Sequence, residues 1–176
     1  MRLLATRRRE LDDPELAELG VELVSLDELL ARSDYVSLHL PLTEATYHLI
    51  DAEALQRMKP GAILINTSRG AIVCEEALVA ALDDRRLRGA GLDVFEQINV
   101  HDPDEVPPRD SPLIGRDDIV VTPHVAAFSV ESREDVPSGS VANLVDVLEG
   151  RWPTSGNIVN AAVVPRWPLE PRSPAG

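Results

Sequence analysis

Short apolar runs alternate with amphipathic stretches along the first two-thirds of this 176-residue chain, and this alternation limits the possible folds more than any other feature. Each apolar run has the length of a β-strand, and the stretches between the runs carry the spacing of a helix with one apolar face. Strands that alternate with helices are typical of a parallel sheet with helices on both faces. We therefore expect an α/β fold.

The pattern predicts six strands and five helical segments. The strands are expected at residues 3–5, 21–24, 35–40, 62–66, 90–94 and 119–122. Helices are expected at 14–19, 26–31, 51–58, 75–82 and 128–149, with Ser25 and Asp51 as N-caps and Pro137 as a break or kink in the last helix. Residues 1–150 would then form one domain, and a proline-rich segment at 151–176 would leave that domain or fray.

Charge and composition exclude several classes of function. The net charge of −13 disfavours a nucleic acid or an anionic membrane surface as a partner. No apolar run is long enough to predict a membrane span. Cys74 is the one cysteine, which excludes a disulfide framework and a cysteine-based zinc site and fits a cytoplasmic protein. We expect no metal site.

Three predicted strands end at residues that can carry chemistry. Arg69 follows the strand at 62–66, Asp93 lies near the end of the strand at 90–94, and His124 follows the strand at 119–122. Ligands of open parallel sheets bind at this edge of the sheet. An arginine can hold a carboxylate through two parallel hydrogen bonds, and a histidine can donate or remove a proton. This set of residues suits a substrate with a carbonyl or carboxylate group.

Four motifs at the strand ends resemble those of one enzyme family. They are Leu-His-Leu-Pro-Leu-Thr at 38–43, Ile-Asn-Thr-Ser-Arg-Gly at 65–70, Gly-Leu-Asp-Val-Phe at 91–95 and Thr-Pro-His at 122–124. Their order and spacing are similar to those of the D-isomer-specific 2-hydroxyacid dehydrogenases. That family includes phosphoglycerate, glyoxylate and hydroxypyruvate enzymes and the C-terminal-binding-protein corepressors. The resemblance covers about residues 1–160, so it extends over nearly the whole chain.

The resemblance implies a hydride transfer between NAD or NADP and a small 2-hydroxy or 2-keto acid. Arg69 is expected to bind the carboxylate and carbonyl of the substrate, and His124 to protonate the nascent alkoxide. Both residues would also border the cofactor. The implied fold is an incomplete doubly wound, Rossmann-like parallel sheet, and relatives imply a homodimer for a full-length protein.

Further positions are expected to contact the cofactor. The backbone at Thr67 and Ser68, together with Asp93, should face the nicotinamide ribose and carboxamide. Leu40 and Pro41 should border the adenine side. These roles are implied by the resemblance alone.

In the family, an acid pairs with the catalytic histidine, and the position where the family carries this acid has a different residue in this chain. The family pattern has a glutamate five residues after the Asp of the Asp-Val-Phe motif, where it orients the imidazole and favours its charged form. Ile98 occupies that position here, and the loop before His124 is longer than usual. Glu105 is the favoured partner because the residues after it align with the family, Glu96 is the second choice, and the absence of any partner is the third.

Arg7 bears on the choice of cofactor. It occupies the position after the second family strand, where NAD enzymes carry an acid that binds the ribose 2′-hydroxyl. An arginine can instead bind a 2′-phosphate, so NADP is favoured over NAD. The alternative is that Arg7, Arg8 and Arg9 are three exposed charges on an acidic protein.

The first family strand and its Gly-x-Gly-x-x-Gly turn have no counterpart, since Met1 aligns with the start of the second strand. We expect two strand edges that face a gap, a truncated product or a misassigned start, and little activity from these residues alone. The alternative function is a non-catalytic, nucleotide-binding dimerisation module like the corepressors. The sequence does not identify the substrate.

Overall fold

The structure is a computed structural model that describes residues 1–7, 16, 18–96, 111–153, 158 and 162–170. The strands and α-helices in this part of the chain are, in order, β1 (Leu3–Ala5), β2 (Val21–Leu23), α1 (Leu26–Arg32), β3 (Tyr35–Leu38), α2 (Ala52–Arg57), β4 (Ala62–Asn66), α3 (Glu75–Asp83), β5 (Leu87–Leu92), β6 (Ile119–Val121) and α4 (Val130–Leu148). A 3-10 helix at Gly70–Ile72 lies between β4 and α3. The predicted helix at 14–19 and the predicted loop at 97–110 lie largely or wholly outside the described residues.

The strands form two parallel sheets, which confirms an incomplete doubly wound fold. One sheet has the order β1-β2 and the other the order β3-β4-β5-β6. In the common doubly wound order, a central strand separates these two groups. No strand among the described residues joins β1 to β3, which agrees with the expectation of two strand edges that face a gap.

Helix caps follow the predictions closely. The Ser25 side chain accepts a hydrogen bond from the Glu28 amide at the start of α1, and the Asp51 side chain accepts one from the Ala54 amide at the start of α2. Each bond satisfies one of the amides that a helix leaves unpaired at its N-terminus. Gly61 takes a positive φ of 79° in the turn between α2 and β4, where a side chain would be strained.

Two predicted strand boundaries are wrong by a few residues. The strand predicted at 35–40 ends at Leu38, because the Leu40 amide donates to the Ser68 hydroxyl and leaves the ladder. The strand predicted at 90–94 begins at Leu87, which pairs with Ala62. The sequence pattern did not predict this extension because it contains Gly89, and glycine has low strand propensity.

The core of the first unit, residues 1–126, lies between one face of the four-stranded sheet and helices α1, α2 and α3. Ala62, Leu64 and Asn66 of β4 are buried on this face, whereas Ile63 and Ile65 of the same strand are only half-buried. We expected helices to cover both faces of the sheet, but at β4 only one face is fully buried. The largest fully buried apolar side chains are those of Leu30, Ile50, Leu55, Met58, Leu64, Ile72, Leu78 and Leu113.

The second unit, residues 127–176, contains α4. Ser129 and Ser132 form a reciprocal capping box at its start. Pro137 was predicted to break or kink this helix; the break is wrong, because α4 runs through Pro137 to Leu148, and the kink stays a prediction. Beyond it, Trp152 and Glu170 form backbone hydrogen bonds that bring the described part of the C-terminal segment back to the end of α4. The domain boundary at residue 150 stays a prediction.

Candidate active site

Strands β3 to β6 end level with one another, which brings the two predicted catalytic residues, Arg69 and His124, to one edge of the sheet. Leu38 pairs with Asn66, and Asn66 pairs with Leu92, which pairs with Val121. Arg69 and His124 each follow one of these strand ends by three residues. Both side chains belong to exposed residues, so the edge is open to a ligand.

Asn66 shapes the turn that carries Arg69. Its buried side chain donates to the Arg69 carbonyl oxygen over 2.9 Å and accepts from the Ser68 amide over 3.0 Å. The Asn66 carbonyl oxygen accepts from the Asp93 amide, so the same residue also ties this turn to the end of β5. The sequence analysis did not single out Asn66, although a polar side chain at a buried strand end was a usable signal.

Gly70 allows this turn to contact the chain that follows β5. A Cβ atom on Gly70 would lie 1.9 Å from the carbonyl carbon and oxygen of Phe95 and 2.3 Å from the Glu96 nitrogen. Two backbones therefore meet where no side chain fits. The position of Arg69, one residue earlier, depends on this close approach.

Asp93 holds the segment that carries His124. Its carboxylate accepts hydrogen bonds from the Thr122 hydroxyl and from the amides of Val125 and Ala126, and its carbonyl oxygen accepts from the His124 amide. Burial raises the pKa of the Asp93 carboxyl, but these hydrogen bonds and the nearby His124 outweigh burial and leave the pKa below its ordinary value. Asp93 is thus committed to the segment around His124, and its predicted contact with a cofactor stays a prediction.

Glu96 is engaged away from His124. One of its carboxylate oxygens lies 2.6 Å from Nε2 of His48, and the other accepts from the Glu75 amide at the start of α3. The Glu75 carboxylate in turn accepts from the Glu96 amide. Burial raises the pKa of the Glu75 carboxyl; the bond from the Glu96 amide lowers it, and the negative charge of Glu96 raises it further. Sequence analysis found no signal in His48, and Glu105 lies outside the described residues.

The remaining predicted cofactor residues lie at two places. At the sheet edge, β3 is followed by the half-buried Leu40 and the exposed Pro41, and β4 is followed by the exposed Thr67. The buried Ser68 hydroxyl donates to the Leu38 carbonyl oxygen and accepts from the Leu40 amide, so it joins the two strand ends. Arg7 is half-buried and follows β1 in the other sheet.

Comparison with known proteins identifies the family of the chain. Residues 1–126 match the model of the D-isomer-specific 2-hydroxyacid dehydrogenase, NAD-binding domain. The chain belongs to this family. It is 48% identical to a glyoxylate reductase of Korarchaeum cryptofilum over 147 residues, which are 84% of this chain and 42% of that relative.

Solved structures are also similar to this chain. A D-lactate dehydrogenase of Treponema pallidum superposes with a TM-score of 0.76 and 32% identity over 88% of this chain and 47% of that one. An acyclic imino acid reductase in complex with NADPH and D-Arg superposes with a TM-score of 0.70 and 32% identity over 85% of this chain and 44% of that one. The chain thus spans less than half the length of each of these relatives. No helix in its described part is long and apolar enough to cross a lipid bilayer.

Proposed function

We propose that this chain carries the nucleotide-side half of the active site of an NAD(P)-dependent D-2-hydroxyacid dehydrogenase, which reduces a small 2-keto acid to a 2-hydroxy acid. The level ends of β4, β5 and β6, with Arg69 and His124 exposed just beyond them, are the observation that supports this proposal. Glyoxylate is the first substrate to test, because the relative from Korarchaeum cryptofilum is a glyoxylate reductase.

Each residue of this edge has a chemical task in the proposed reaction. The Arg69 guanidinium binds the substrate carboxylate through two parallel hydrogen bonds. The His124 imidazole donates a proton to the substrate oxygen as it becomes an alkoxide. Asp93 keeps His124 in place through the bonds to the 122–126 segment. A nicotinamide nucleotide, when bound, supplies the hydride.

The edge offers groups that fit such a nucleotide. Leu40 and Pro41 provide apolar contacts at the end of β3, and the exposed Thr67 provides a backbone and a hydroxyl beside Arg69. Arg7 at the end of β1 supplies a positive charge that suits the 2′-phosphate of NADP, so we propose NADP as the preferred cofactor. We further propose a cytoplasmic homodimer without a nucleic-acid or membrane partner.

The proposal is tested with the full-length gene product, of which this chain is all or a part. Reduction of glyoxylate, hydroxypyruvate and pyruvate is followed through the loss of NADPH or NADH absorbance. We expect turnover of at least one acid, and we expect Arg69→Lys and His124→Gln each to lower kcat/KM by about a hundred-fold or more. Arg57→Lys, at the C-terminal end of α2 and therefore before the start of β4 rather than after its end, is the matched control and should retain activity.

The opposite result has a clear meaning. A protein that binds a nicotinamide nucleotide and dimerises on binding, but reduces none of these acids, would contradict the enzymatic proposal. That outcome would support the non-catalytic dimerisation module instead.

A further inference from the structure

We propose that His48 and Glu96 form a positioning pair that holds the Arg69 turn in the geometry required for carboxylate binding. The reaction proposed above gives neither side chain a contact with substrate or cofactor. This inference rests on the proposed function, because Arg69 is taken as the carboxylate-binding residue.

His48 contacts the turn and its support at the same time. Its main-chain amide donates to the Ala71 carbonyl oxygen over 2.8 Å, and its Nε2 lies 2.6 Å from Oε1 of Glu96. His48 has a positive φ of 49°, and its ring stacks on that of Tyr47 at a centroid distance of 4.0 Å. A non-glycine residue in the left-handed region costs free energy, so this conformation is held by its contacts.

Glu96 completes the support of the turn. Its amide and carboxylate exchange two hydrogen bonds with Glu75, at 2.5 and 3.1 Å, which fixes the start of α3 against the chain after β5. Gly70 lies against the same Phe95–Glu96 peptide. The Arg69 turn is therefore held by the side chain of Asn66 and by its contacts with His48 and with the Phe95–Glu96 peptide.

The location of the pair predicts which step depends on it. Both side chains are less than a third exposed, so water screens their interaction only in part. Loss of the pair frees the backbone at Gly70 and Ala71 but leaves the bonds of Asp93 around His124 intact. Binding of the substrate carboxylate should weaken, whereas proton transfer and nucleotide binding should change little.

His48→Asn and Glu96→Ala test this in the full-length gene product. Asparagine tolerates the left-handed backbone of His48 but is too short to reach Glu96, so it removes the contact with little added strain. We expect KM for the 2-keto acid to rise about ten-fold in each variant, with kcat and the Kd of the nucleotide within about two-fold. The double variant should raise KM no further than either single variant, because the two residues act as one unit. Tyr47→Phe, which keeps the stacked ring, is the matched control.

A second measurement keeps this inference separate from the proposed function. Amide hydrogen exchange at residues 69–72 should become faster in both variants, while exchange at the C-terminal end of α3, residues 80–83, stays unchanged. The Glu75 amide should exchange faster only in Glu96→Ala, which removes its acceptor. If the unmodified protein reduces no 2-keto acid, the proposed function fails, and the exchange result still decides whether the pair holds the turn. Unchanged KM together with unchanged exchange would overturn the inference. A rise in KM accompanied by equally large losses of nucleotide affinity and thermal stability would also overturn it, because that pattern indicates a general defect in folding.

Discussion

Asp93 and His124 come from neighbouring strand ends, and the main-chain amide of His124 donates to the carbonyl oxygen of Asp93 over 2.9 Å. The Asp93 side chain then accepts bonds from the amides of the two following residues, Val125 and Ala126. Asp93 thus holds His124 in two ways: it binds the main-chain amide of His124 directly, and it binds the two residues that follow His124. This arrangement explains how an exposed histidine can keep a defined position.

Asp93→Asn should weaken both the fold and the reaction. The amide nitrogen of asparagine would face a backbone N–H instead of accepting from it, so one part-buried donor loses its partner. We expect the free energy of unfolding to fall by about 1–3 kcal/mol and kcat to fall at least ten-fold. Urea unfolding and steady-state rates measure the two effects. Asp84→Asn, at the exposed C-cap of α3, should change neither value.

The lowered pKa of Asp93 gives a prediction for acid conditions. Because the pKa is lower in the folded than in the unfolded chain, the carboxylate stabilises the fold above about pH 3.9, and this contribution is lost as the pH falls through the folded pKa. The amide chemical shifts of Val125 and Ala126 should therefore stay constant until the pH is below the range of an ordinary aspartate. Movement of these shifts at higher pH would contradict the described hydrogen bonds.

Gly70→Ala should be the most damaging single substitution in the turn. The new methyl group would overlap the Phe95 carbonyl group and the Glu96 nitrogen, so the two backbones must separate. We expect a loss of roughly 3 kcal/mol in the free energy of unfolding and a strong loss of 2-keto acid reduction. Gly139→Ala in α4 is the control, since its Cβ would meet nothing within 4 Å and should stabilise the helix slightly. Equal stability of both variants would argue against the close approach.

The acid partner of His124 can be identified by two substitutions to glutamine. Both Glu96 oxygens already bind His48 and Glu75, so we propose Glu105 as the partner. Glu105→Gln should lower kcat by ten-fold or more, whereas Glu96→Gln should leave kcat nearly unchanged. If neither substitution lowers turnover ten-fold, the histidine has no paired acid in this protein.

Arg7 should set the preference between the two nicotinamide cofactors. We expect the full-length gene product to bind NADPH more tightly than NADH, because a guanidinium can pair with the 2′-phosphate. Arg7→Ala should weaken NADPH binding about ten-fold and leave NADH binding unchanged, as measured by nucleotide fluorescence. Arg2→Ala, at the opposite end of β1, controls for the change in net charge. A preference for NADH in the unmodified protein would rule out this role.

Local features of the sequence were sufficient for much of the fold. Periodicity predicted all six described strands, and capping residues such as Ser25 and Asp51 marked helix starts correctly, because caps and periodicity act within a few residues. Strand boundaries at Leu38 and Leu87 were missed, since a bond from Leu40 to a side chain on another strand and a pairing with Ala62 decide them.

The residues of the proposed site, Arg69, Asp93 and His124, were likewise predicted from the sequence, because their motifs are continuous and follow strand ends. Only the tertiary structure assigned Asp93 to the support of the His124 segment and joined His48 to Glu96 across 48 residues. Such contacts depend on how strand ends and turns meet in space. The order of strands and helices and the residues of the proposed site therefore follow from local sequence patterns, whereas packing between distant segments decides what holds those residues in place.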